Sequence, residues 1–115
     1  MSKIDNVKVG KYGEDLATEY LKSNGYYILD RNFKCKIGEI DIVAKKDSAI
    51  IFIEVKTRSS DRFGMPREAV NYYKQRKIRN VANVYLKFKR LIDHSCRFDV
   101  IEILDGEITH IENCF

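Results

Sequence analysis

Hydrophobic and polar residues alternate along two neighbouring stretches near the middle of the chain, residues 38–44 and 49–59. Both stretches are rich in Ile, Val and Phe, and the polar segment 45–48 separates them. Apolar runs of this length on either side of a polar, turn-like segment are typical of a β-hairpin. The pattern therefore predicts an antiparallel strand pair at the centre of the fold.

Strict alternation divides each arm of this hairpin into a polar and an apolar face. The polar faces hold Glu39 and Asp41 in the first arm and Glu54 and Lys56 in the second. The apolar faces hold Ile40 and Ile42 in the first arm and Ile53 and Val55 in the second. Each arm is thus expected to present acidic side chains on one face only.

The length of the turn decides which residues face each other. A two-residue turn at Asp47-Ser48 gives three opposing pairs: Lys46 with Ala49, Asp41 with Glu54, and Glu39 with Lys56. A four-residue turn keeps these pairs. A three-residue turn would break them, because a slip of one residue moves every side chain to the other face.

A helical spacing of apolar residues precedes the hairpin. It predicts a helix from about residue 5 or 6 to Asn24, with Gly25 as a left-handed stop. Glu14 lies at the margin of the apolar stripe, where it either reaches solvent or points into a site. Residues 26–34 predict a first strand, and Gly38 marks the turn into the second.

A second, longer helix is expected after the hairpin. We expect it to run from about Pro66 to Lys89, since proline suits a first helical position. Its apolar face is expected to hold Val70, Tyr73, Val81, Tyr85 and Phe88, with Ile78 beside them. Residues 97–104 then alternate as a fourth strand, Asp105-Gly106 forms a tight turn, and residues 107–111 return as an edge strand.

The predicted order of elements is α-β-β-β-α-β-β, a mixed sheet with a helix on either side. A helix between strands three and four is compatible with a parallel crossover. A chain of 115 residues has room for one domain, residues 1–115, with one core. The fold class is therefore α/β.

Composition narrows the class of protein. No apolar run is long enough to span a bilayer, and residues 1–6 have no apolar h-region, so we expect no secretory signal. Three widely spaced cysteines, an odd number, favour reduced thiols over a disulfide framework or a zinc site. We therefore expect a cytoplasmic protein without a membrane partner.

The opposing carboxylates of the hairpin are the first candidate for chemistry. Residues directly opposite on antiparallel strands have Cβ atoms roughly 4.5–5.5 Å apart, and like charges at that distance are unfavourable. Asp41 and Glu54 at such a distance suit a hard divalent cation, which takes oxygen ligands, and Lys56 beside them can offset charge or bind a phosphate oxygen. The alternative is a solvated face on which Glu39 pairs with Lys56.

The predicted second helix has the most uneven charge in the chain. It carries Arg67, Lys74, Arg76, Lys77, Arg79, Lys87, Lys89 and Arg90 against one acid, Glu68. Such a run is often a solvated surface, but the excess is larger than solubility needs, and we interpret it as a phosphate-binding face. Candidate nucleic-acid-binding residues are Arg58, Arg67, Lys74, Gln75 and Lys77. Asp99 is expected to pair structurally, and His94 and His110 are isolated in the sequence.

Several blocks of this sequence resemble a known family. Asp41 followed by Glu54-Val55-Lys56 resembles the PD-(D/E)xK nuclease signature, with Ile40 where the name has proline. Together with residues 13–17, 64–70 and 97–100, these motifs are similar to the YraN-like family of predicted endonucleases, itself related to archaeal Holliday junction resolvases. The resemblance covers nearly the whole chain.

This resemblance implies a restriction-endonuclease-like core and a metal-dependent endonuclease acting on DNA, with branched or junction DNA as the first candidate substrate. It implies Mg²⁺ (or Mn²⁺) held by Asp41, Glu54 and the Val55 carbonyl, with Glu14 as a further acidic group and Lys56 as the catalytic lysine. Some related nucleases carry Gln-x-x-x-Tyr on the second helix, but here Arg79 follows Gln75 at the tyrosine position.

Other functions stay open from the sequence. A non-catalytic nucleic-acid-binding accessory module would share the fold and the basic helix, and an RNA-processing enzyme would share the chemistry. A homodimer, which resolvases need because they cut two strands, is also left open.

Overall fold

The computed structural model describes residues 3–58 and 71–115, with side chains described from residue 10 onward. The helices are α1 (Lys3–Ser23) and α2 (Tyr72–Phe88). The strands are β1 (Tyr27–Lys34), β2 (Glu39–Lys46), β3 (Ala49–Arg58), β4 (Ser95–Leu104) and β5 (Glu107–Ile111). Gly25 follows α1 with φ of +84°, the left-handed stop that the sequence predicts.

The five strands form one mixed sheet in the order β1-β2-β3-β4-β5. Neighbouring strands are antiparallel except β3 and β4, which are parallel. The chain therefore crosses over between β3 and β4, and α2 lies on that connection. The predicted α/β class, the mixed sheet and the edge position of β5 are confirmed.

The central hairpin has the predicted register. Lys46 pairs with Ala49, and the turn consists of Asp47 and Ser48. The strand pairing continues as far as Ile42 and Ile53. Counting one step further places Asp41 beside Glu54, although regular pairing has ended there.

The two helices cover opposite faces of the sheet. On β3, Ile51 and Ile53 pack in a cluster with Ala17 and Leu21 of α1. The alternating residues Ile50 and Phe52 pack instead with a buried stripe of α2, which consists of Val81, Ala82, Tyr85 and Leu86. The predicted arrangement of one helix on each side is therefore confirmed.

One strand face differs from the prediction. Ile42 packs on the α1 side of the sheet, whereas Ile40 packs with the cluster on the α2 side. The prediction that both share one face is wrong, because the regular alternation of β2 is interrupted between them. Asp41 lies at that interruption.

The second helix begins later than the sequence suggests. Asn71 is its N-cap, with an extended backbone, and its side chain accepts a hydrogen bond from the Lys74 amide. The predicted start at Pro66, and Val70, lie outside the described residues. The predicted burial of Tyr73 and Phe88 is wrong: Tyr73 is 76% exposed, and Phe88, the last residue of the helix, is also exposed.

Candidate functional site

A hydrogen bond from the backbone of β3 to a side chain of β2 defines the centre of the site. The Val55 amide donates to Oδ2 of Asp41 over 2.8 Å. This bond forms just beyond the last backbone pair, Ile42 with Ile53. The Asp41 carboxylate therefore replaces a main-chain acceptor, and its position next to Glu54 is fixed by the hairpin itself.

The carboxyl groups of this site perturb each other. Burial raises the pKa of Asp41 to about 7, and the charges of Glu54, Glu14 and Glu39 add to this rise, while the Val55 amide opposes it. Burial also raises the pKa of Glu54, although the charges of Lys56 and Lys74 act in the opposite direction. Four acidic groups from α1, β2 and β3 thus interact in one place, which raises the electrostatic cost of ionising them together.

Glu14 reaches this place because α1 packs closely on the end of β3. Gly13 is buried, and a Cβ atom there would lie 1.8 Å from Oγ1 of Thr57. Oε1 of Glu14 is buried and has no hydrogen-bond partner among the residues that the structure describes. A buried carboxylate oxygen without a donor is costly to keep, so Glu14 is a candidate for binding a ligand.

A cavity of about 620 Å³ opens beside the carboxylates. Glu39 and Glu54 line it from the sheet, and Lys74 and Lys77 line it from the first turns of α2. Lys34 also lines it and lies 3.9 Å from a carboxylate oxygen of Glu39. Two carboxylates and three lysines therefore line a space large enough for a small ligand.

The structure brings most of the predicted site residues together. Asp41, Glu54, Lys56 and Glu14 interact electrostatically, and Lys74 and Lys77 line the cavity. Gln75 does not line either of the cavities around α2 that we describe. The Arg58 Nε lies 4.0 Å from a carboxylate oxygen of buried Glu102. Arg67 lies outside the described residues.

The predicted metal ligands do not form a ready-made metal site. Among residues 3–58 and 71–115, no three His, Cys, Asp or Glu side chains are grouped so that they could hold a metal ion. Mg²⁺ or Mn²⁺ at this site therefore stays a prediction. The oxygen donors present are nevertheless of the type that these hard cations take.

Two contributions to the cavity are not apparent from the sequence. Lys34 comes from the end of β1, and its place follows from the pairing of Lys34 with Glu39. Tyr73 is assigned to the core by its helical spacing, yet it lines the cavity. If the register of β1 and β2 had been known, the lysine could have been identified as a cavity residue. The tyrosine could be identified as one only from the true start of α2.

A separate polar network lies on β4 and β5. Asp99 is buried and accepts hydrogen bonds from Arg97 and from the Asn113 amide, and its Oδ2 lies 2.7 Å from Nε2 of His110. The other ring nitrogen of His110 lies 3.0 Å from the Tyr20 hydroxyl. The predicted structural pairing of Asp99 is confirmed, and His110, which stands alone in the sequence, joins this network from the predicted edge strand.

Comparisons with known proteins place the chain in a family. Residues 13–103 match the profile described as "Uncharacterised protein family UPF0102". The UPF0102 protein TTE1452 of Caldanaerobacter subterraneus is 46% identical over the whole of both chains. The UPF0102 protein of Alkaliphilus oremlandii is 52% identical over 96% of this chain and 99% of its own. None of the helices in the described residues is long and apolar enough to cross a membrane. The chain therefore belongs to the UPF0102 family, the YraN-like family that its sequence motifs predict.

Proposed function

We propose that this protein is a Mg²⁺- or Mn²⁺-dependent endonuclease of the PD-(D/E)xK superfamily, with a restriction-endonuclease-like fold, that hydrolyses phosphodiester bonds in branched DNA. The observation that carries the proposal is the Asp41 carboxylate, hydrogen-bonded to the Val55 amide beside Glu54 at the edge of a cavity with lysines on its far wall. This arrangement combines oxygen ligands for a cation with positive charge for a phosphate.

The oxygen donors of the site are of the type that suits a divalent cation. Asp41 and Glu54 would hold it together with the Val55 carbonyl, and the buried, unpartnered oxygen of Glu14 would bind in its outer shell or at a second ion. Such a cation supplies activation of a water molecule and stabilisation of negative charge on the phosphate. It would also offset the burial and the repulsion from Glu54 that together raise the pKa of Asp41.

The remaining roles belong to neighbouring side chains. Lys56, whose charge already acts on Glu54, would orient the attacking water and stabilise the developing charge on the phosphate. Lys74 and Lys77 would bind phosphate oxygens of the same strand across the cavity. The Val55 amide holds the Asp41 carboxylate in place before any ligand binds.

Cleavage of a small substrate panel tests the proposal. Linear duplex, single strand, flap and four-way junction DNA, with matching RNA strands, would be incubated with Mg²⁺, Mn²⁺ or EDTA. Glu54→Gln and Lys56→Ala should each abolish metal-dependent cutting. Glu19→Gln and Lys22→Ala are matched controls, because these residues form an exposed ion pair on α1, 3.8 Å apart, outside the site.

A second function is favoured by one observation, the lack of an assembled three-ligand metal group in the described residues. In that case the protein would be a non-catalytic accessory module that binds nucleic acid through the lysines of α2. Tight binding without cutting under any metal condition would support this alternative. Cutting that both site substitutions leave unchanged would refute the proposed catalytic site.

A further inference from the structure

Tyr73 occupies an unusual position at the start of α2. Its side chain is 76% exposed, and it lines both the 620 Å³ cavity and a second cavity of about 390 Å³. Lys77 also lines both cavities, one turn further along the helix. The two spaces therefore adjoin along the side of α2 that carries these two residues, and together they lead outward from Glu54.

The second cavity combines an aromatic ring, an apolar wall and two cations. Ile37, which is 42% exposed, forms its apolar wall between β1 and β2. Arg76 and Lys77 supply positive charge, and Asn80 supplies an amide. A flat ring with nearby cations suits a nucleobase and its phosphate. Bases stack on aromatic side chains, while basic side chains bind the phosphates of the nucleic-acid backbone.

The base that fits such a space must be unpaired. A base inside a duplex has both faces covered by its neighbours, whereas a base in a single strand, flap or loop can stack on a protein ring. Because Tyr73 and Lys77 line both cavities, this space also lies next to the cavity that Glu54 lines, not on a remote surface. The bound nucleotide and the bond to be cut would then belong to one strand.

We propose that Tyr73 and Ile37 hold one unpaired nucleobase beside the scissile phosphate, with Arg76 and Lys77 on its backbone. This inference rests on the proposed nuclease function, and it names the substrate class: nucleic acid that is single-stranded next to the cleaved bond. Fully paired duplex would be a poor ligand. Flaps, splayed arms and junctions with unpaired nucleotides would be good ones.

Binding without cleavage tests the subsite separately from the chemistry. Affinities for a single-stranded oligonucleotide, a flap and a blunt duplex would be measured in EDTA for the wild type, Tyr73→Ala, Tyr73→Phe and Tyr72→Ala. Tyr72 is the matched control, since it is the neighbouring tyrosine, is 75% exposed and lines neither cavity. Tyr73→Ala should weaken binding to the single strand and the flap by about fivefold or more. Tyr73→Phe and Tyr72→Ala should stay close to the wild type.

A spectroscopic readout identifies stacking directly. A 2-aminopurine in the unpaired segment should lose fluorescence when the wild type binds, and this quenching should be absent with Tyr73→Ala. Both tyrosines are exposed, so thermal melts of the variants should match the wild type.

The possible outcomes separate the subsite from the nuclease. Metal-dependent cutting with unchanged single-strand binding by Tyr73→Ala would refute the subsite and leave the nuclease standing. Selective loss of single-strand binding in Tyr73→Ala, without cutting by the wild type, would support the subsite and refute the nuclease. Equal loss of affinity for duplex and single strand would also refute the subsite, because it would indicate a general effect on backbone binding.

Discussion

Asp41 and the carboxylates around it should have a measurable effect on folding, because burial and mutual repulsion both disfavour the charge of Asp41. Asp41→Asn removes the charge but keeps an oxygen that can accept the hydrogen bond from the Val55 amide. In metal-free buffer we expect this variant to become more stable relative to the wild type as the pH rises. The carboxyl groups that act on Asp41 are Glu54, Glu14 and Glu39.

The sign follows from the direction of the pKa shift. The pKa of Asp41 is raised by burial and by its acidic neighbours to about 7 in the folded protein, against about 3.9 in an unfolded chain. The folded state therefore holds the proton more tightly. The stability that this proton supplies is complete below the unfolded pKa and is lost as the pH rises through about 7.

The magnitude follows from the same two values. Between about pH 5 and about pH 8, linkage gives a loss of about 2.5 kcal/mol from this one carboxyl group as an upper limit. Because Asp41 is only partly buried and its repulsion is screened by water and salt, we expect about 1 kcal/mol of differential stability. For a domain of this size that corresponds to roughly 4 °C in the unfolding midpoint.

Urea unfolding of wild type and variant at both pH values, with EDTA present, measures this difference. Asp15→Asn is the control, because a hydrogen bond from Arg31 lowers the pKa of Asp15 and its effect should not vary between the two pH values. The reasoning is refuted if Asp41→Asn changes stability equally at both pH values, or if its benefit is larger at the lower one.

Three further predictions concern the metal, the helix packing and the second buried aspartate. Mg²⁺ or Mn²⁺ should raise the unfolding midpoint of the wild type more at high pH than at low pH, because carboxylates must lose their protons to bind metal; an equal rise in Asp41→Asn would exclude the site. Gly13→Ala should destabilise the fold by about 1–3 kcal/mol through the clash with Thr57, as measured by urea unfolding, and Thr57→Ala should recover part of that loss. Burial alone would raise the pKa of Asp99, but hydrogen bonds from His110, Arg97 and Asn113 lower it overall. Asp99→Asn should therefore cost about 3 kcal/mol near neutral pH, and this cost should shrink as the pH falls below about 4; an undiminished cost in acid would contradict it.

Local signals were enough to predict the hairpin, but they left the length of its turn open. The observed turn at Asp47-Ser48 has two residues and gives the pairing that we expected for a two- or four-residue turn. Because the pairing places Asp41 beside Glu54, the candidate site followed from the same argument. The covering helices were also predictable, since their apolar spacing is regular.

Competition between local signals explains the errors on α2. Pro66 is an acceptable first helical residue, but the Asn71 side chain caps the Lys74 amide and begins the helix there. The later start gives Tyr73 a place in the first turn, beside the cavity. Helical spacing alone assigns such a residue to the core.

Long-range contacts explain the other differences. The hydrogen bond between the Val55 amide and Asp41 joins two strands, so only the folded hairpin brings these residues together. His110 meets Tyr20 across 90 positions of sequence. Neither contact leaves a periodic trace in the chain, so sequence patterns do not reveal it.

Two aspartates of the sheet, Asp41 and Asp99, show why we propose a functional role for the first and a stabilising role for the second. Asp99 accepts hydrogen bonds from Arg97 and the Asn113 amide and contacts His110, and its pKa falls despite burial. Asp41 accepts a hydrogen bond from the Val55 amide, and burial together with neighbouring carboxylates raises its pKa to about 7. The fold therefore stabilises the charge of Asp99 but leaves that of Asp41 poorly compensated.

Sites that break a local rule at a cost in stability are expected where a ligand completes them. A cation bound by Asp41 and Glu54 would provide that completion, and the pH dependence of stability with and without metal distinguishes it from mere strain.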